Sequence, residues 1–167
     1  KIRSTLAIIR SKEPKANTPV PRLSDIPDLV RGVVATGLSV DFTSTLPTGA
    51  VVPDAVALVA YGVVQEGLTN IVRHVGTGTA ATVSLTATDT QLNVTVSDAG
   101  VTSGPTDRDS PASPGSGLGL TGLAERCAAL GGSLTAGPLT TGGFGLHATL
   151  PLPPPVAAIT PTPQEPT

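Results

Sequence analysis

Apolar positions recur along this chain at two different periods, and the period decides each predicted element. Leu38, Val40 and Phe42 alternate with polar neighbours, as a half-buried strand requires. From about residue 54 to residue 75 the apolar positions follow a helical repeat instead, and Gly76 and Gly78 stand where such a helix would end. Residues 81–87 and 92–96 return to alternation around Asp89-Thr90, the pattern of a hairpin. Residues 118–130 are helical again and stop at Gly131-Gly132, and 133–136 and 144–150 read as two further strands. Nearer the start, 25–36 fits a short helix with Ser24 as its cap and Pro27 in its first turn. Residues 1–10 read as the end of another helix, with Ile2, Leu6 and Ile9 on one side.

Strands in antiparallel pairs with helices between them predict an α+β fold. The expected form is a two-layer sandwich: one helical layer on a mixed, mostly antiparallel sheet. Strict β-α-β alternation is missing, which excludes a doubly wound fold. Three stretches carry no core pattern. Residues 11–21 form a basic linker punctuated by proline. Residues 99–116 are rich in Gly, Ser, Pro and Asp and have the length usually kept for a lid. Residues 153–167 are proline-rich throughout and are expected to be disordered.

Charge narrows the function classes. Six of the ten basic residues lie in the first 22 positions, leaving four against ten acidic ones between residues 23 and 150. That body has no electrostatic footprint for nucleic acid, and with Phe42, Tyr61 and Phe144 as its aromatics it lacks a base-stacking surface. The single cysteine, Cys127, excludes an internal disulfide framework and falls in an apolar pattern with Leu123 and Leu130, as a buried thiol would. The longest apolar stretch, near residues 50–64, is interrupted by Pro53 and Asp54 and falls short of a membrane span. No membrane contact is expected of this segment.

Chemistry concentrates in three places. On the long helix, Val64, Leu68, Ile71, Val72 and Val75 gather on one side and Glu66, Asn70, Arg73 and His74 on the other. The second set suits a metal-chelated phosphate chain: Asn offers magnesium a neutral oxygen, and Arg or His can meet phosphate directly. A merely solvated face is the competing reading. At the end of residues 92–98, parity puts Asp98 on the apolar face with Leu92, Val94 and Val96. A carboxylate there needs donors, and an adenine amino group could be one; a common Asp-x-Gly turn is the alternative. Finally, Gly115-Ser116-Gly117-Leu118-Gly119-Leu120 opens a helix, where bare backbone and free N–H groups favour an anion. All three lysines precede Arg22, so the phosphate loop ending in Lys-Ser/Thr is absent, and the strand and acidic residue that a dinucleotide fingerprint needs are absent too.

In this order and spacing the three motifs resemble the nucleotide-binding domain of the GHKL superfamily, shared by gyrase, the MutL proteins and sensor histidine kinases. Glu66-x-x-x-Asn70 with Arg73-His74 resembles its N box, Asp98-Ala99-Gly100 its first glycine box, and residues 115–120 its second. Residues 122–132 and Gly142-Gly143-Phe144 are similar to the two-component sensor kinases with a short lid. The resemblance spans about residues 23–152. It implies a Bergerat-type ATP-binding fold using ATP and Mg2+, with Asn70 and Glu66 at the metal and Glu66 polarising the attacking group. It implies Asp98 and Gly100 at adenine, with Arg73, His74, Gly115, Gly117, Leu118, Gly119 and Leu120 around the phosphates. Thr102 stands where the first glycine box usually has a second Gly.

The resemblance also implies partners: a histidine-bearing dimerisation domain and a response regulator. Residues 1–22 would then be the end of a dimerisation helix and its linker, 23–152 the kinase domain and 153–167 a tail. The first residue is Lys1, and a piece of a longer protein is expected. Of the two histidines, His74 lies in the nucleotide stripe and His147 is predicted to face solvent, so neither suits a phosphoacceptor. The implied setting is cytoplasmic, either alone or as part of a membrane-anchored receptor. A GHKL-type ATPase or anti-sigma-factor kinase, and a dead binding module that keeps the fold, are the other readings.

Overall fold

In a computed structural model describing residues 20–48, 50–76, 78–100 and 116–154, the alternating segments are five strands. These are β1 (Ser39–Thr45), β2 (Ala80–Ala87), β3 (Gln91–Asp98), β4 (Ser133–Pro138) and β5 (Phe144–Pro151). They form one sheet in the order β1-β2-β3-β5-β4. β1 pairs with β2 in parallel, and the other three pairings are antiparallel. The parallel pair follows from what joins it. A 21-residue helix, α2 (Asp54–His74), lies between β1 and β2 and returns the chain to the end where β1 began.

Two more helices complete the helical layer, α1 (Ile26–Val34) and α3 (Ser116–Ala129). Pro27 sits in the first turn of α1 as expected, but Ser24 does not cap it. The chain enters through a tight turn at Leu23–Asp25, where Asp25 Oδ2 accepts the Arg22 N–H at 2.8 Å. An aspartate carboxylate is the stronger acceptor, and Ser24 is left exposed. Gly76 (φ +85°) ends α2 and Gly131 (φ +78°) ends α3, each in the left-handed region. Of the expected helix end and linker over 1–22, lid over 99–116 and tail over 153–167, residues 1–19, 101–115 and 155–167 lie outside the described residues.

The core lies between α2 and one face of the sheet. Val83 and Leu85 of β2, Leu92, Val94 and Val96 of β3, and Leu146, Ala148 and Leu150 of β5 meet Val63, Val64 and Leu68 of α2. Pro53 and Asp54 begin α2 rather than interrupt it. The helix is thus long and apolar enough, by length and composition alone, to cross a membrane, but 67% of its most apolar window is buried inside this fold. Cys127 is fully buried, and burial pushes its thiol above the ordinary range.

Candidate functional site

α2 rests directly on the sheet because Gly67 has no side chain. A methyl group there would stand 2.7 Å from Val96 Cγ1 and 3.1 Å from Leu146 Cδ1. The helix axis is therefore closest to β3 one turn before Asn70, and the polar stripe emerges beside the end of that strand. Val64, Leu68, Ile71 and Val72 are buried, as the helical repeat predicts. Glu66, Asn70 and Arg73 are half-buried, and His74 is exposed at the helix end.

Each of these four side chains has a distinct situation. The Glu66 carboxylate lies against Gly119 in the first turns of α3, so the long helix and the third motif come together in space. Asn70 Oδ1 is buried and has no hydrogen-bond partner among the described residues. A buried acceptor left unpaired costs about 1–3 kcal/mol, and a cation beside it would remove that cost. Arg73 has no ion-pair partner among the described residues, where Arg31 pairs with Asp28. A partly buried guanidinium without a carboxylate suits a phosphate oxygen.

Asp98 ends β3 on its buried face at 4% exposure, as strand parity predicts. Of the two readings of Asp98, the Asp-x-Gly turn is present. The Gly100 N–H donates to Asp98 Oδ1 at 2.7 Å, which is the expected turn, and Gly100 takes φ +74°. The Phe144 N–H donates to Oδ2 at 3.2 Å from the start of β5. The same turn is held from the entry to β2, where Thr79 Oγ1 donates to the Gly100 carbonyl at 3.1 Å and the Ala99 N–H to that of Ala80 at 3.0 Å. Sequence reasoning did not find the Phe144 and Thr79 contacts. Both come from segments distant in sequence, and the adjoining Gly142-Gly143 was the one local signal.

Of the glycine-rich stretch, Gly117, Leu118, Gly119 and Leu120 fall in the first turns of α3, while Gly115 lies outside the described residues. Leu118 is 81% exposed and so contributes nothing to the core, whereas Leu120 packs against it. Among the described residues no group of three or more His, Cys, Asp and Glu side chains converges on a metal position. A metal here would depend on Asn70, Glu66 and the phosphate oxygens it accompanies. The unpaired Asn70 Oδ1 fits that role, because it is neutral and already desolvated.

A helix carrying Glu66 and Asn70, a buried Asp98 and a glycine-rich helix start thus share one end of an α+β sandwich. Residues 55–154 match the family described as histidine kinase-, DNA gyrase B-, and HSP90-like ATPase. The chain belongs to this ATPase family. Over 100 residues it is 37% identical to the sensor histidine kinase YxjM of Bacillus subtilis (strain 168), covering 60% of this chain and 22% of that protein. The chain therefore spans well under half of that relative. The fold is shared with a blue-light activated histidine kinase of Erythrobacter litoralis, at 22% identity and a TM-score of 0.58 over 79% of this chain and 42% of that one. It is shared too with the mycobacterial sensor histidine kinase MprB, at 17% identity and a TM-score of 0.56 over 80% of this chain and 97% of that one.

Proposed function

We propose that this ATPase domain binds Mg-ATP as the catalytic part of a bacterial sensor histidine kinase. It transfers the γ-phosphate to a histidine on a dimerisation domain, for relay to a response regulator on the cytoplasmic side of the cell. The observation that carries the reading is the buried Asn70 Oδ1, without a partner among the described residues and one helical turn from Glu66. A bare acceptor is costly in a domain that needs none, and it is useful where a cation arrives with its phosphates.

The side chains divide the work by their chemistry. Asp98 accepts the adenine amino group, and its apolar surroundings strengthen that choice over the carbonyl of guanine. Asn70, with Glu66, holds Mg2+, whose charge offsets that of the phosphates. Arg73 and His74 meet phosphate oxygens, and the backbone from Gly115 through Gly117 and Gly119 approaches them, flanked by Leu118 and Leu120. Glu66 accepts the acceptor imidazole's proton as the N–P bond forms, and the bond to the β-phosphate oxygen breaks to release ADP. Positioning supplies much of the catalysis in such transfers.

The acceptor comes from elsewhere. His147 is exposed on the sheet face opposite the helices, paired between Thr95 and Thr135, and His74 belongs to the nucleotide end. Residues 1–22 are assigned to the end of the dimerisation helix and linker, 23–152 to the kinase domain and 153–167 to a tail. The test is radiolabelled ATP with this chain alone and then with the dimerisation fragment of its parent or an adjacent gene. Label is expected on the added fragment only, and Glu66→Gln should keep ATP binding while stopping transfer. Acid-labile label on the chain alone would overturn the proposal, as would transfer by the Gln variant.

A further inference from the structure

Gly142 and Gly143 precede β5, and both occupy the left-handed region, at φ +88° and +87°. Their surroundings differ sharply. A methyl group on Gly142 would meet nothing nearer than the Ala99 carbonyl at 3.9 Å. On Gly143 it would collide with the Asp98 carbonyl oxygen and stand 2.9 Å from the Gly100 nitrogen. The relation is reciprocal, because a methyl on Gly100 would stand 2.8 Å from the Gly143 nitrogen. Two turns are interlocked backbone to backbone, and neither contact is a flexible side chain that could swing away.

The interlock has a chemical result. Gly100 donates its N–H to Asp98 Oδ1 and Phe144, next to Gly143, donates to Oδ2. Each turn thus holds one oxygen of the same carboxylate through a backbone N–H. The second turn is tied into its own hairpin, with the Leu139 N–H bonded to the Gly143 carbonyl at 3.1 Å and the Gly142 N–H to that of Leu139 at 3.0 Å. It has no slack with which to absorb a larger residue.

We infer that Gly143 is a positioning residue for base recognition: its missing side chain lets the β4–β5 turn close on Asp98 and aim the carboxylate at the amino group of an adenine nucleotide. The inference rests on the assignment of Asp98 to adenine. Gly143 touches no ligand. A methyl there moves the Phe144 N–H away from Oδ2, and a carboxylate held on one side can rotate. The site then no longer separates an amino group from a carbonyl.

Gly142→Ala and Gly143→Ala make a matched pair, since both place a side chain at the same unfavourable φ and only one collides. Calorimetric titration of each with Mg-ATP and Mg-GTP reads the outcome, with circular dichroism confirming that both are folded. Gly142→Ala should keep the parent's preference for ATP. Gly143→Ala should lose about tenfold or more of it, mostly through weaker ATP binding, because a carboxylate no longer aimed at the amino group gives up the hydrogen bond that only adenine can donate. Equal preference in the two variants overturns the inference, and so does a parallel loss of both nucleotides. A parent that binds GTP as well as ATP refutes the Asp98 assignment instead, before either variant is made. Amide exchange of Phe144 in the unaltered protein needs no variant. Slow exchange before nucleotide is added is expected, and exchange at open-loop rates would overturn the interlock.

Discussion

Glu66 lies against the backbone of Gly119, so that a methyl group on that glycine would stand 2.7 Å from the carboxylate carbon. The acid that would polarise the acceptor histidine is therefore seated on the helix start that would back the phosphates. Gly119→Ala should displace Glu66 and slow transfer to an added dimerisation fragment by about a hundredfold, the scale of a lost general base. Single-turnover transfer and calorimetry together check this. Equal losses in rate and in ATP affinity would count against it, because they would make Gly119 only a phosphate contact.

Asn70 should set stability against function. Asn70→Leu removes a buried acceptor that has no partner among the described residues, so the nucleotide-free domain should gain about 1 kcal/mol in urea denaturation. The same variant should lose magnesium-dependent ATP binding. Asn70→Asp should also weaken Mg-ATP binding, by adding a negative charge beside the triphosphate. Unchanged ATP affinity in either variant would remove Asn70 from the metal site.

Asp98→Asn puts an amide NH2 where one of two buried oxygens accepted a backbone N–H from Gly100 or Phe144. Two donors then face each other away from water, at a cost of about 1–3 kcal/mol. Chemical denaturation should show that loss without any nucleotide, alongside weaker ATP binding. Parent-like stability would mean that the carboxylate does not hold the two turns together.

Alkaline pH should unfold the domain through two buried groups. Burial raises the Cys127 thiol above 9.0, and burial, then the nearby Asp25 charge, raises the Tyr61 phenol above 10.0. Both groups hold their protons more tightly folded than unfolded, so their contribution is complete below those values and is lost as pH climbs past them. Denaturation midpoints should be flat near neutrality and fall above about pH 9, with a smaller fall in Cys127→Ala. A thiol reagent near pH 7 should label Cys127 only as fast as the domain opens. Rapid labelling of the native protein would contradict its full burial.

Much of this was legible in the sequence because the deciding rules are local. The helical repeat marks α2 to within a residue at its end, where Gly76 supplies the left-handed stop. Strand parity puts Asp98 inside without any knowledge of its neighbours. What escaped depends on segments that meet only after folding. Which strand pair is parallel follows from the crossover of α2, not from the letters of β1 or β2. The cap of α1 moved from Ser24 to a turn closed by Asp25. The N–H that Phe144 gives to Asp98 and the contact between Glu66 and Gly119 join motifs that the sequence could only place in order.

Gly67 sits where α2 touches Val96, and two distances are counted from that crossing. Asn70 is three residues further along the helix, a rise of about 4.5 Å. Asp98 is two residues further along the strand, about 6.8 Å. The crossing thus acts as the zero mark of a gauge for the spacing between Asp98 and Asn70, the proposed base end and metal end of the ligand. Inserting one residue between Gly67 and Asn70 would leave both side chains present but would swing the buried Ile71 and Val72 off the core face. It would also turn Asn70 about 100° away, and the gauge would then measure a molecule that does not exist.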